Sequence, residues 1–376
     1  MTTNDSGPGG GDRLGRAQAA LRDADVGALL VGPSADLRYL VGYHALPLER
    51  LTMLVVPATG EPALVVPALE AARAEESGAH RLAPLRPWGE TDDPIALVTG
   101  LLADAGVLGH DRPARLALQD RLWTSFTLQL QAALPAATWV PGSQVMRDLR
   151  LRKSADEIRA LHEVGAAIDA VHAAVPELLR PGRTEAEVGR DITELILQDH
   201  DEVNFVIVAS GPNGASPHHE TGSRVLTEGD AVVVDIGGTR NGYCSDMTRD
   251  YAIGHVPDGY AELHAVLEAA QEAAVQAVRP GVTAASIDEA ARAVIRDAGY
   301  GEQFIHRTGH GIGVEEHEEP WIVGGNDETV TAGMAFSVEP GIYVPGRYGA
   351  RIEDIVVVTA DGVERVNHRP REIVVC

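Results

Sequence analysis

Four carboxylates and one imidazole, Asp235, Asp246, His310, Glu339 and Glu353, follow one another along the last two-fifths of the chain. Each lies in a segment that reads as a strand or strand end, so a shared metal site is the first chemistry to consider. Acids gathered without cations repel one another and raise each other's pKa values, and a fold that collects four of them needs positive charge. Two divalent ions would balance them. Oxygen donors with a single nitrogen favour Mn²⁺, Co²⁺, Fe²⁺ or Zn²⁺ over soft-metal chemistry, and neither Cys244 nor Cys376 belongs to the set. Such a pair would acidify an attacking water and polarise a carbonyl, so the reaction class is metal-assisted hydrolysis.

Strand pairing has to bring the first two acids together. Asp230-Ala-Val-Val-Val-Asp235 is an apolar, β-rich run, Asn241-Gly242 is a two-residue hairpin signal, and Tyr243–Ala252 returns as a second strand. With that turn Asp235 faces Thr248, and Asp246 lies diagonally from Asp235 on the same face, about 7–8 Å away. An odd loop would put the two aspartates on opposite faces. An Asp pair beside glycine is ordinarily just hairpin chemistry, but this pattern occurs twice. Thr227-Glu-Gly-Asp-Ala-Val-Val-Val-Asp235 aligns without a gap on Thr331-Ala-Gly-Met-Ala-Phe-Ser-Val-Glu339. Upstream, Arg180-Pro-Gly-Arg-Thr184 recurs as Arg279-Pro-Gly-Val-Thr283, each ahead of an amphipathic helix that its Thr can cap. The repeat implies two similar α+β halves, each offering acids from a strand pair.

These stretches resemble the creatinase/prolidase family of pita-bread-fold proteins, in which two pseudo-symmetric halves enclose a dinuclear metal centre. The resemblance covers nearly the whole chain and is sharpest at Val234-Asp-Ile-Gly237 with Ser245-Asp246, Gly309-His-Gly-Ile-Gly313, Val314-Glu-Glu-His-Glu-Glu-Pro320, Ser337-Val-Glu-Pro-Gly341 and Arg351-Ile-Glu-Asp354. It implies that Asp235 binds one metal, His310 and Glu339 the other, and that Asp246 and Glu353 bridge the two. It makes Glu339 the general base. It also assigns His218, in Ser216-Pro-His-His-Glu220, and His317 to the substrate pocket, where each could donate to a developing oxyanion. His219 contests the first of these assignments. Arg351 is expected to orient a bridging carboxylate or a substrate carboxylate, the plainer alternative being a satisfied ion pair. His306 stands four residues before His310, but His306-Arg-Thr-Gly-His310 lacks the Glu of a helical zinc motif and its glycines disfavour a helix. It supports the centre or merely packs.

The elements around the site divide near residue 150. Val26–Val31, Leu51–Val56 and Ala63–Val66 read as short strands interleaved with helical stretches such as Pro67–Ala74 and Leu122–Ala133, a small α/β domain over residues 13–150. Within it, Asp36-Leu-Arg-Tyr-Leu-Val-Gly-Tyr43 resembles the family's N-domain signature. Ser154-Ala-Asp-Glu157 is a capping box opening a helix with Ile158, Leu161 and Ile168 on one side. The catalytic α+β pita-bread domain is therefore placed at 151–376, with every ligand in it. Residues 1–12 are polar and glycine-rich, unlike a signal peptide, and read as a disordered tail.

Composition narrows the partners. The chain has 376 residues, 55 acids against 31 bases, a net charge of −24 and a single lysine, Lys153. Nothing supplies the clustered positive charge of a nucleic-acid surface, and no apolar run approaches the about 20 residues of a membrane span. Two cysteines are too few for a disulfide framework, which fits a reducing cytoplasm. By resemblance, the expected activity is hydrolysis of Xaa-Pro dipeptides, with Mn²⁺ the first metal and a homodimer the assembly. The alternatives are an Xaa-Pro aminopeptidase acting on longer peptides, a non-peptidase hydrolase or lyase, and a binding module on the same scaffold.

Overall fold

A computed structural model describes residues 10–109 and 113–376. The chain divides into two compact units, Met1–Arg150 and Leu151–Cys376. Residues 1–9, most of the expected tail, lie outside the described residues, and the first helix begins at Gly10.

The first unit is α/β. Its strands are β1 (Ala28–Val31), β2 (Met53–Pro57), β3 (Ala63–Pro67), β4 (Leu85–Trp88), β5 (Arg115–Leu118) and β6 (Thr138–Pro141), in the order β4-β3-β2-β1-β5-β6. The first three are buried throughout, which is why they read as continuous apolar runs. Helices α1 (Gly10–Asp23), α2 (Ala35–Val41), α3 (Ala71–Glu76), α4 (Pro94–Asp104), α5 (Thr124–Ala133) and α6 (Ser143–Leu151) intervene. Two expected boundaries shift for local reasons. Val26 closes α1 by bonding the Leu21 carbonyl, so β1 starts two residues later. The helix expected over Pro67–Ala74 begins as a 3-10 turn at Ala68–Glu70 and becomes α-helical only at Ala71.

The second unit is α+β and repeats itself. Its helices are α7 (Ala155–Leu178), α8 (Glu185–Ile196), α9 (Tyr260–Ala277) and α10 (Ala284–Asp297). Ser154 and Glu157 form the capping box of α7, with Leu161 and Ile168 buried. Strands β7 (Glu202–Ser210), β8 (Ala231–Arg240) and β9 (Tyr243–Ala252) belong to the first half. The second half holds β10 (Gly309–Gly311), β11 (Glu318–Ile322), β12 (Ala335–Val338), the hairpin β13 (Gly341–Val344) with β14 (Tyr348–Arg351), then β15 (Asp354–Val358) and β16 (Val363–Arg365). The short β17 (Val374–Val375) pairs with β9. The sheets run β17-β9-β8-β7 and β11-β10-β12-β15-β16.

The repeated Pro-Gly-x-Thr segments explain the symmetry. Thr184 caps α8 and bridges Val225, while Thr283 caps α10 and bridges Thr329. Across the first bridge the Gly182 amide donates to the Leu226 carbonyl and the Leu226 amide to that of Arg183, as Gly281 does to Val330 and Val330 to Val282 across the second. Both helices then bury one apolar stripe, Val188-Ile192-Ile196 and Ile287-Ala291-Ile295, each in the separate core of its own half.

Candidate metal centre

The β8–β9 turn decides where the first two acids point. Asn241 and Gly242 both adopt left-handed backbone (φ 50° and 82°), the geometry of a type I′ hairpin. Register follows as the turn requires, with Asp235 opposite Thr248 and Gly237 opposite Asp246. His310 lies in β10, where the two glycines flanking it have a steric cause. A Cβ on Gly309 would lie 1.9 Å from the Ser337 carbonyl oxygen, and one on Gly311 would lie 2.2 Å from that of Glu319. Only glycine lets β10 lie this close to its neighbours. Glu339 directly follows β12, and Glu353, between β14 and β15, bridges to Thr248.

The five side chains converge. Ligand atoms of Asp235, Asp246 and Glu353 lie within 4.8 Å of one another, as do those of His310, Glu339 and Glu353. A further group of that kind joins Asp246, His310 and His317. The His310 Nε2 is 3.3 Å from Glu339 Oε1 and 3.7 Å from Asp246 Oδ2. Its Nδ1 lies 3.1 Å from the Gly311 carbonyl oxygen. A carbonyl only accepts, so Nδ1 carries the proton and Nε2 directs its lone pair at the acids. Burial, with His317 beside it, lowers the His310 pKa to about 3, so the ring is neutral at ordinary pH.

The acids show the strain of being gathered. Burial pushes the Asp246 carboxyl well above its usual range, and Glu353, Asp235 and Glu339 push it further. Glu353 is raised in the same way, first by burial and then by Glu339 and Asp235. Glu339 is raised to about 7, mainly by burial, with Arg351 opposing. Two oxygens in this cluster, Asp235 Oδ1 and Glu353 Oε1, are buried with no hydrogen-bond partner. Buried polar atoms are rarely left so. Unbonded carboxylate oxygens converging on one point, with a neutral imidazole lone pair beside them, fit a pair of divalent cations.

Arg351 organises the opposite side of Asp235. Its Nη2 donates to Asp235 Oδ2 at 2.5 Å and its Nε to Thr248 Oγ1 at 3.1 Å. Thr248 Oγ1 donates in turn to Glu353 Oε2 at 2.7 Å. The guanidinium therefore orients one acid directly and a second through a hydroxyl. Its Nη1 also donates to Tyr343 Oη at 2.9 Å. His306 joins this chain rather than simply packing. Its Nδ1 is 2.7 Å from the Arg307 carbonyl oxygen, so the proton sits there, and Nε2 accepts from Tyr343 Oη at 2.8 Å. Burial holds the ring neutral by lowering its pKa to about 4.

A cavity of about 380 Å³ opens over the acids, with Phe205, Ile207, Pro217, His218, Arg307 and Glu316 among its walls. His317 also lines it, its ring centroid 4.0 Å from that of His310. The histidine doublet resolves by partner. His219 Nε2 is 2.8 Å from Glu185 Oε2, which leaves His218 to the cavity. Glu185 is fully buried and also accepts from the Ser210 amide and hydroxyl and from Asn213, holding the loop that carries His218. Asp288 treats Thr308, just before the His310 strand, in the same way, accepting from its amide and hydroxyl. The one lysine has a place as well. Lys153 Nζ pairs with Glu318 Oε1 at 2.7 Å, buried, next to His317.

Sequence reasoning missed Thr248, Tyr343, Ser337 and Glu185 as parts of the centre. Thr248 was within reach, because the hairpin register placed it opposite Asp235. Ser337, which donates to Glu339 Oε1 at 3.1 Å and accepts from the His310 amide, stands inside the quoted Ser337-Val-Glu-Pro-Gly341 stretch. Tyr343 and Glu185 carried no local signal.

With this geometry in place, comparison with known proteins is specific. The chain matches the metallopeptidase family M24 over residues 159–360 and the creatinase/prolidase N-terminal domain over residues 13–152. It is 52% identical over 367 residues to the probable dipeptidase PepE of Mycobacterium tuberculosis, covering 96% of each chain. It is 34% identical to the Xaa-Pro dipeptidase of Lactobacillus helveticus, covering 96% of this chain and 98% of that one. The crystal structure of dipeptidase PepE from Mycobacterium ulcerans superposes with a TM-score of 0.90 at 51% identity over 97% of each chain.

Proposed function

The chain belongs to metallopeptidase family M24, and we propose that it is a dinuclear metallopeptidase hydrolysing the Xaa-Pro bond of dipeptides, with its centre at Asp235, Asp246, His310, Glu339 and Glu353. The observation that carries this reading is the convergence of those donors beneath an open cavity, two of their buried oxygens lacking any protein partner. Relatives named dipeptidase and Xaa-Pro dipeptidase along nearly the whole chain support the substrate class.

In this reading Asp235 would hold one ion, His310 and Glu339 would hold the other, and Asp246 and Glu353 would be shared between them. When bound, the metals would supply charge that activates water and polarises the scissile carbonyl. The remaining work belongs to the protein. Glu339 would hold an ion through one carboxylate oxygen and accept the proton from the attacking water with the other. His218 and His317, on the cavity wall, face the developing oxyanion. Arg351 keeps Asp235 and Glu353 aimed inward through the contacts described above. Hard oxygen donors make manganese the first metal to test. The same reading takes a homodimer as the assembly and the cytoplasm as the compartment, the latter supported by the two free cysteines. Among the described residues no helix is long and apolar enough to cross a membrane.

The test is hydrolysis of Ala-Pro, Ala-Pro-Ala and Met-Ala-Ala by manganese-loaded protein. Cleavage of Ala-Pro alone is expected. Cleavage of Ala-Pro-Ala would make the protein an aminopeptidase, and inertness toward all three would overturn the peptidase reading.

A further inference from the structure

The cavity wall beside Asp235 contains a feature that metal binding does not use. The β7–β8 register passes from Val203 opposite Gly238 directly to Phe205 opposite Gly237, so Asn204 is the extra residue of a β-bulge. Bulges beside sites serve to re-aim a side chain. Here Asn204 Oδ1 accepts from Thr239 Oγ1 at 2.8 Å, and the Asn204 side chain neighbours the Glu316 carboxyl, opposing the upward pKa shift that burial imposes on it. Glu316 is half-buried, lines the cavity, and pairs with no cation among the described residues. The wall leading to it is apolar. Phe205 and Ile207, two apart on β7, share a face and both line the cavity. Phe205 is held over Gly237, where a Cβ would come within 2.5 Å of its ring.

An apolar wall ending in an unpaired carboxylate matches an aliphatic stem ending in a positive charge. We infer that Glu316, aimed by the Asn204 bulge, selects substrates whose residue before the scissile bond has a cationic side chain, lysine or arginine. This rests on the hydrolase reading above and adds its side-chain preference. A half-buried carboxylate without a cation carries a desolvation cost, which a lysine or arginine head would offset with a charge-assisted hydrogen bond. The substrate's α-ammonium is the other cation available to Glu316, and every dipeptide carries it. The two cases separate by comparing substrates that differ only in the side-chain charge.

The experiment measures kcat/KM for Lys-Pro and norleucyl-Pro with the manganese-loaded full-length enzyme and its Glu316→Gln variant, which removes the charge and keeps the side chain's size. The wild type is expected to prefer Lys-Pro by about tenfold or more, the scale of one hydrogen bond to a charged group. The Glu316→Gln variant is expected to lose that preference, and Asn204→Ala to reduce it. Equal use of the two dipeptides by the wild type would overturn the inference. So would a Lys-Pro preference retained by Glu316→Gln, or an equal loss on both substrates, which would assign Glu316 to the α-ammonium. Turnover of norleucyl-Pro keeps the hydrolase reading intact whichever way the ratio falls, whereas no turnover of either dipeptide removes that reading and this one with it.

Discussion

Replacing Arg351 by methionine removes a guanidinium while keeping much of the stem's apolar bulk. Four hydrogen bonds disappear, to Asp235, Tyr343, Thr248 and the Pro217 carbonyl. Asp235 is the group left exposed to the consequence. Its Oδ1 already lacks a partner, so the variant leaves both oxygens of a buried carboxylate bare. Breaking a buried ion pair from one side costs about 3–5 kcal/mol. For a unit of this size each kcal/mol is worth roughly 2–4 °C, so the metal-free variant should melt about 6–20 °C below the wild type. Manganese should narrow that gap, because a cation on Asp235 supplies the charge that the guanidinium did. Differential scanning calorimetry with and without metal measures both quantities. Identical melting of the two metal-free proteins would refute the energetic argument. A gap that manganese leaves unchanged would refute the placement of metal on Asp235.

Asp246→Ala should leave a folded protein that turns over no substrate even after metal repletion, since both ions lose a ligand; restored hydrolysis on adding manganese would contradict this. His317→Ala should lower kcat by more than it lowers metal content by elemental analysis. Equal loss of both would move His317 into the ligand set, where its proximity to Asp246 and His310 would then be explained. His172, buried on α7, predicts an acid limb of stability. Burial lowers its pKa from 6.5 to about 3, with both ring nitrogens engaged by Tyr251 Oη and the Met247 carbonyl. Between those pH values the unfolded chain binds a proton that the folded one refuses, so this contribution is intact above pH 6.5 and fades as pH falls toward 3. Each unit of displacement is worth about 1.4 kcal/mol, and urea unfolding of wild type and His172→Gln between pH 7 and pH 4 should show a shallower decline in the variant. Parallel curves would count against it.

How far the sequence carries can be read from individual residues. Asp235 and Asp246 were legible because a two-residue Asn-Gly turn sets parity, and parity alone decides which face each acid takes. Thr184 and Thr283 were legible because capping is local. His310 needed only its flanking glycines and the acids already counted. What stayed hidden depends on chain segments far apart. Arg351 meets Asp235 across 116 positions, and Tyr343, on the same hairpin as Arg351, reaches His306 across 37. No spacing rule connects such pairs. The Asn204 bulge has no compositional mark, being one ordinary residue inserted into a strand, and Glu185 looks like a first-turn acid until the loop it holds is in place. In the first unit the apolar runs located β1, β2 and β3. Their ends moved by a residue or two, because backbone bonds from neighbouring elements set where pairing starts.

The central claim is that paired cations sit among these five side chains. Anomalous diffraction from manganese-soaked crystals, recorded on both sides of the manganese edge, tests it without reference to activity. Two peaks per chain are expected, roughly 3.5–4 Å apart, one bounded by Asp235, Asp246 and Glu353 and the other by His310, Glu339, Asp246 and Glu353. No peak there, or peaks held by other residues, would contradict the account.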